Sequence, residues 1–180
     1  GDDIGSLSEL LRFYGAESYG IEMDKGLILV AHSGLLAEDG NPQSQVIEGD
    51  IGNLYDPSST LLMEQLKTLG GFDMIFSNNF FSHGHELDFL IDQDFSGDKK
   101  HPPSLWYQWL HGDKKCPRPS QIFRKNCQEL LKEDGVQLHL RVNMPDALAA
   151  SREESQLIGR SDADRVVLIT SSGVEVIGRH

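Results

Sequence analysis

The chain has 180 residues, 38% hydrophobic and 24% charged, which suits one globular domain with a sizeable core. Its formal charge of −12 argues against general affinity for nucleic acid or for anionic membrane surfaces. No apolar run approaches the ~20 residues needed to cross a bilayer, and no signal peptide is visible.

The elements alternate. The chain begins inside a glycine-bearing turn, Gly1 to Gly5, with no strand before it, and a helix follows in which Leu7, Leu10, Leu11 and Tyr14 share a face and Gly15 is the stop. A short strand ends at Glu22, a second helix runs through "KGLILVAHSGLL", and "EDGNPQSQ" is an exposed loop. "QVIEGD" reads as a strand, "SSTLLMEQLKTLGG" as a helix and "FDMIFSN" as a buried strand. The irregular stretch 80–117 contains an insertion at about 96–117. It is followed by a helix in "SQIFRKNCQELLKEDG", a strand in "VQLHLRV", a helical segment in "PDALAASREESQLIG" and a terminal hairpin in "RVVLITSSGVEVIG". Strands separated by helices predict an α/β fold: a doubly wound, mainly parallel sheet in a single domain over residues 1–180, closed by an antiparallel hairpin. Cys116 and Cys127, the only cysteines, define neither a disulfide framework nor a zinc site, which points to a reducing, cytoplasmic compartment.

In a doubly wound sheet, ligands sit beyond the carboxyl ends of the strands. The turns "GDDIG", "GIEMD" and "EGDI", with "FDMIFSN", resemble in order and spacing the class I S-adenosylmethionine-dependent methyltransferases, a Rossmann-like family, over essentially the whole chain. Gly1 and Gly5 match the outer glycines of that family's G-x-G-x-G turn, and Asp3 replaces the central one. The resemblance implies that Glu22 binds the ribose hydroxyls, with Met23 against the adenine. It also implies that Asp50 accepts from the adenine amino group, that Ile51 covers the ring, and that Ser77 and Asn78 lie beside the methionine portion. Gly1 would directly follow the family's first strand, so that strand is missing from the chain as given; upstream residues are the expected source, and another segment supplying the central strand is the alternative. A sheet without its middle strand would leave two unpaired edges.

The rival cofactor is a dinucleotide, whose G-x-G-x-x-G fingerprint requires glycine where Asp3 and Ser6 stand. Carboxylates beside a pyrophosphate would repel it by ~4 kcal/mol per close charge pair at a surface-like dielectric. S-adenosylmethionine carries an ammonium and a sulfonium, so the same acids favour it. A methyltransferase-like binding or scaffold module without turnover is the alternative that Asp3 supports, and an NAD(P)-dependent oxidoreductase is the third reading.

No motif names the methyl acceptor. "SNNF" at the end of the "FDMIFSN" strand lacks the prolines of the D/N-P-P-Y/F tetrapeptide of DNA amine methylators, so a small molecule or protein is favoured over a nucleic acid base. His83 is the candidate base, with an unperturbed pKa near ~6.5, and His85 is a candidate substrate contact. The array His83, His85, Glu86 and Asp88 fits no familiar metal site, and no metal is expected. Trp106 and Trp109 are spaced to share one face of a short helix, either as core or as a lid over the acceptor. Residues 97–132 carry a net +5 against −17 for the remainder, which leaves a local route to an anionic acceptor or single-stranded nucleic acid.

Overall fold

The computed structural model describes residues 6–33, 45–55, 61–78, 81, 118–159 and 165–179. The chain divides into two compact units, Gly1–Asn53 and Leu54–His180.

The first unit carries α1 (Ser6–Phe13), β1 (Tyr19–Glu22), α2 (Lys25–His32) and β2 (Gln45–Glu48). β1 and β2 pair in parallel, Tyr19 with Gln45 through Glu22 with Glu48. Parallel pairing requires a crossover, and α2 supplies it. Its start is fixed by Asp24, whose Oδ1 accepts from the amides of Gly26 at 2.7 Å and Leu27 at 3.0 Å, two donors that a helix start otherwise leaves open. Ile28, Ala31 and Val46 form the buried contact between helix and sheet. His32 Nε2 lies 3.0 Å from the Val46 carbonyl and ties the last turn of α2 to β2. A 3-10 turn (Ile51–Tyr55) follows β2.

The second unit carries α3 (Leu61–Thr68), β3 (Phe72–Asn78), α4 (Pro119–Leu130), β4 (Leu131–Leu140), α5 (Pro145–Leu148), α6 (Arg152–Ile158), β5 (Arg165–Thr170) and β6 (Gly173–Arg179). Its sheet has the order β3-β4-β5-β6, with β3 and β4 parallel and the remaining pairs antiparallel. Pro119 opens α4, where its missing N–H costs nothing. Phe123, Cys127 and Leu130, at helical spacing, are buried. Phe123 stacks on Tyr55 at 4.7 Å and meets Phe81 edge to face at 5.6 Å. Phe81 is itself anchored through its carbonyl, which accepts from the amides of Asn143 and Met144.

The α/β class and the terminal hairpin are present as expected. The described strands form two sheets, however, one of two parallel strands and one mixed sheet of four, where one mainly parallel sheet was expected. Among the described residues, β1 pairs only with β2 and β3 only with β4, so each carries an open edge. Two local departures have clear causes. β4 begins at Leu131, earlier than "VQLHLRV" suggested, because Leu131 pairs with Phe72 before the register jumps to Met74 with Val136 and residues 132–135 bulge out. The segment "PDALAASREESQLIG" breaks into α5 and α6, because Ser151 is extended (φ −134°) and caps α6 by accepting from Glu154 N at 3.1 Å.

Candidate functional site

The first unit brings together four of the residues assigned by resemblance. Glu22 ends β1 and Asp50 follows β2. The paired strand ends are locked by a 2.9 Å bond from Gly49 N to the Glu22 carbonyl. The Glu22 side chain is only 8% exposed, which is costly for a carboxylate without donors. The donors are local: Oε1 accepts from the amides of Met23 and Asp24, each at 2.9 Å. Asp50 is half-buried, and its Oδ1 accepts from Gly52 N at 2.8 Å, opening the 3-10 turn. Met23 is 53% exposed and Ile51 half-buried, so an apolar surface borders the two acids. Both carboxylates thus use one oxygen to shape their own loop. The Lys25–Glu48 pair nearby, 3.2 Å long and largely exposed, contributes little.

In the second unit, Ser77 and Asn78 end β3, Ser77 half-buried and Asn78 exposed. Ser77 sits opposite His139 of β4, and its Oγ lies 2.8 Å from His139 Nδ1. His139 is 0% exposed, packed edge to face against Phe81 at 5.0 Å, with Nε2 3.4 Å from Gln137 Oε1. Burial, assisted by the positive charge of Arg124, pushes its pKa down to about 3, so it is neutral at physiological pH. Sequence reasoning passed over His139 and Gln137. The available signal was "VQLHL" itself, which puts two polar residues at i and i+2 on one face of a strand, the face that the structure buries.

Gly1, Asp3, Gly5, His83, His85, Trp106 and Trp109 lie outside the described residues. So does most of the basic segment. Within its described part, Arg118, Arg124, Lys125 and Lys132 pair with Asp146, Glu154, Glu129 and Asp73 at 3.0, 3.0, 3.7 and 2.8 Å, so these four cations are matched by carboxylates. An open cleft of about 560 Å³ between α4 and the α5–α6 region is lined by Arg118, Asp146, Ser151, Arg152, Ser155 and Gln156, among others, and by none of the expected site residues. Its centre is a bracing network: Arg118 donates to Asp146 and to the Ser151 carbonyl at 3.1 Å, and Ser155 Oγ donates to Asp146 at 2.7 Å. Cys127, fully buried, has its thiol pushed up to about 12 and is not a nucleophile. Among the described residues no group of three or more His, Cys, Asp or Glu side chains could hold a metal ion, and no helix is long and apolar enough to cross a membrane.

No protein-family model, curated protein or solved structure matches the chain. A functional reading therefore rests on the residues and their geometry.

Proposed function

We propose that this chain is a Rossmann-like, class I methyltransferase domain that transfers a methyl group from S-adenosylmethionine to an acceptor. The single observation that carries the reading is the placement of Glu22 and Asp50 at the carboxyl ends of two paired parallel strands, with Met23 and Ile51 beside them. Two acids suit the hydroxyls and amino group of an adenosine, and the apolar pair suits its ring. The same acids oppose a pyrophosphate, which sets the dinucleotide reading behind. A sulfonium methyl is already an activated electrophile, so the protein's work is alignment of donor and acceptor at near-attack distance. A base, for which His83 is the candidate, helps only where the acceptor must lose a proton.

One observation favours a second reading, a binding or scaffold module without turnover. Glu22 is buried and spends Oε1 on two backbone amides, the behaviour of a carboxylate that shapes a loop. Glu22→Gln and Asp50→Asn separate the two roles, because each retains an oxygen for its loop amides and loses only charge and acceptor capacity. Transfer of labelled methyl from S-adenosylmethionine into a metabolite or protein extract should proceed with the natural chain and fall at least tenfold in the double variant, the loss of one or two charged hydrogen bonds. Binding without transfer supports the scaffold, and unaltered transfer by the double variant places the nucleoside elsewhere.

A further inference from the structure

Three arginines meet at one end of the second unit's sheet, on or just beyond three neighbouring strands. Arg165 opens β5, and the hairpin register sets Arg179 of β6 directly opposite it. On the other side, the β4–β5 register pairs His139 with Val167, and two residues further on it brings Arg141 opposite Arg165. A 2.9 Å bond from Val142 N to the Arg165 carbonyl holds that end together. Neighbouring strands lie only ~4.8 Å apart, and like charges in directly opposed positions repel. In a chain of formal charge −12, such a row is not part of a general basic surface.

Two features beyond the charges mark the same place. Arg141, an exposed residue, has φ 57° and is the only non-glycine residue with a positive φ among those described. That left-handed backbone suits glycine and is strained for a residue with a Cβ, the kind of strain that collects at ligand sites. Arg165 is half-buried, and its Nε is buried without a hydrogen-bond partner among the described residues, a rare state for a donor. Its guanidinium is set against the end of α6, where a Cβ at Gly159 would stand 3.0 Å from Nη1 and 3.6 Å from Nη2. By contrast, Lys67, Arg118, Arg124, Lys125 and Lys132 of the same unit all meet carboxylates. We propose that this end of the sheet binds a terminal phosphate group, with Arg165 as the anchor, Arg141 beside it and Arg179 at the next position in register. One guanidinium saturates a carboxylate through a single bidentate pair, whereas a terminal phosphate offers three free oxygens to arginines on neighbouring strands. A bridging phosphate of a dinucleotide offers two and fits less well. The site belongs to the second unit alone and does not depend on the methyl-transfer reading.

Phosphorus-31 NMR of inorganic phosphate, titrated with the full chain at constant ionic strength, tests the proposal. The natural chain should perturb the phosphate signal saturably, with a dissociation constant of about 1 mM or below, and excess acetate should not displace it. Arg165→Met keeps the buried stem and removes the donors, and should weaken binding about tenfold, as the loss of a charged hydrogen bond does. Arg141→Gly relieves the left-handed backbone, so the fold survives, and should weaken binding in the same direction; it carries the test if Arg165→Met does not fold. Lys67→Met removes a charge outside the row and should bind as the natural chain does. A response that does not saturate, displacement by acetate, or undiminished binding in the folded arginine variants overturns the proposal. An equal loss in Lys67→Met overturns it as well, since net charge would then explain the binding. No binding at all does the same, leaving the row neutralised within the chain.

Discussion

At 0% exposure, with burial and the Arg124 charge pushing its pKa to about 3, His139 stays neutral over the range in which an unfolded imidazole, near 6.5, titrates. Between those two values the unfolded chain binds a proton that the folded chain refuses. Stability therefore rises with pH through this window, is fully present above 6.5, and falls as pH drops, by about 1.4 kcal/mol per unit from this group. Urea denaturation at pH 7 and pH 5 should show the natural chain losing about 2 kcal/mol more than His139→Phe. Equal losses would mean that the imidazole is wet. Gly135 makes a different demand at the same scale. A Cβ there would stand 2.9 Å from the Phe72 carbonyl oxygen and 2.9 Å from Leu131 Cβ, inside the bulge that separates the two registers of β3 and β4. Gly135→Ala should cost about 1–3 kcal/mol through overpacking against backbone that cannot step aside, measured as a lower urea midpoint with an unchanged slope.

Among elements, the second unit is braced by ion pairs that reach across its helices. Arg118 at the start of α4 meets Asp146 in α5, and Arg124 of α4 meets Glu154 in α6, both pairs partly buried. Glu154 Oε2 also accepts from Ala150 N at 2.7 Å while Ser151 caps the same helix, so one carboxylate serves the helix start and the helix pairing together. Removing one partner of such a pair strands the other. Glu154→Ala is expected to destabilise by about 1–3 kcal/mol, and the Glu154→Ala, Arg124→Ala double variant by less than the sum of the singles. Additive losses in thermal unfolding would show the pair to be uncoupled. The elements themselves were readable where local chemistry decides them. "FDMIFSN" coincides with β3 but is not the buried strand expected, since none of its residues is buried; Phe123, Cys127 and Leu130 mark the buried face of α4, and in "SSG" Ser171 and Ser172 make the β5–β6 turn while Gly173, at φ 140°, opens β6. The start of β4 was not readable, since nothing in "LLKEDGV" says that Leu131 pairs with Phe72, a partner some sixty residues away. The acids at strand ends were legible because a strand's terminus and a carboxylate are both local facts. The Ser77–His139 contact was not, because it depends on which strands become neighbours and in what register.

At the scale of the whole molecule, charge and topology bear on the account in different ways. The formal charge of −12 coexists with a cationic stretch whose described side chains are matched by acids from α5, α6, β3 and α4 itself, so their positive charge is largely internal bookkeeping of the fold. The parallel pairing of β1 with β2 brings the carboxyl ends of both strands, and with them Glu22 and Asp50, to the same end of the first unit's sheet. The central claim is that the strand-end acids Glu22 and Asp50 receive an adenosine with a cationic tail. Isothermal titration of the natural chain with S-adenosylmethionine, its demethylated product and NADH tests it most directly. The account predicts micromolar binding of the first two, enough for about 4 kcal/mol of added stability at millimolar ligand, with NADH silent. Binding of NADH alone, or of none of the three, would contradict it.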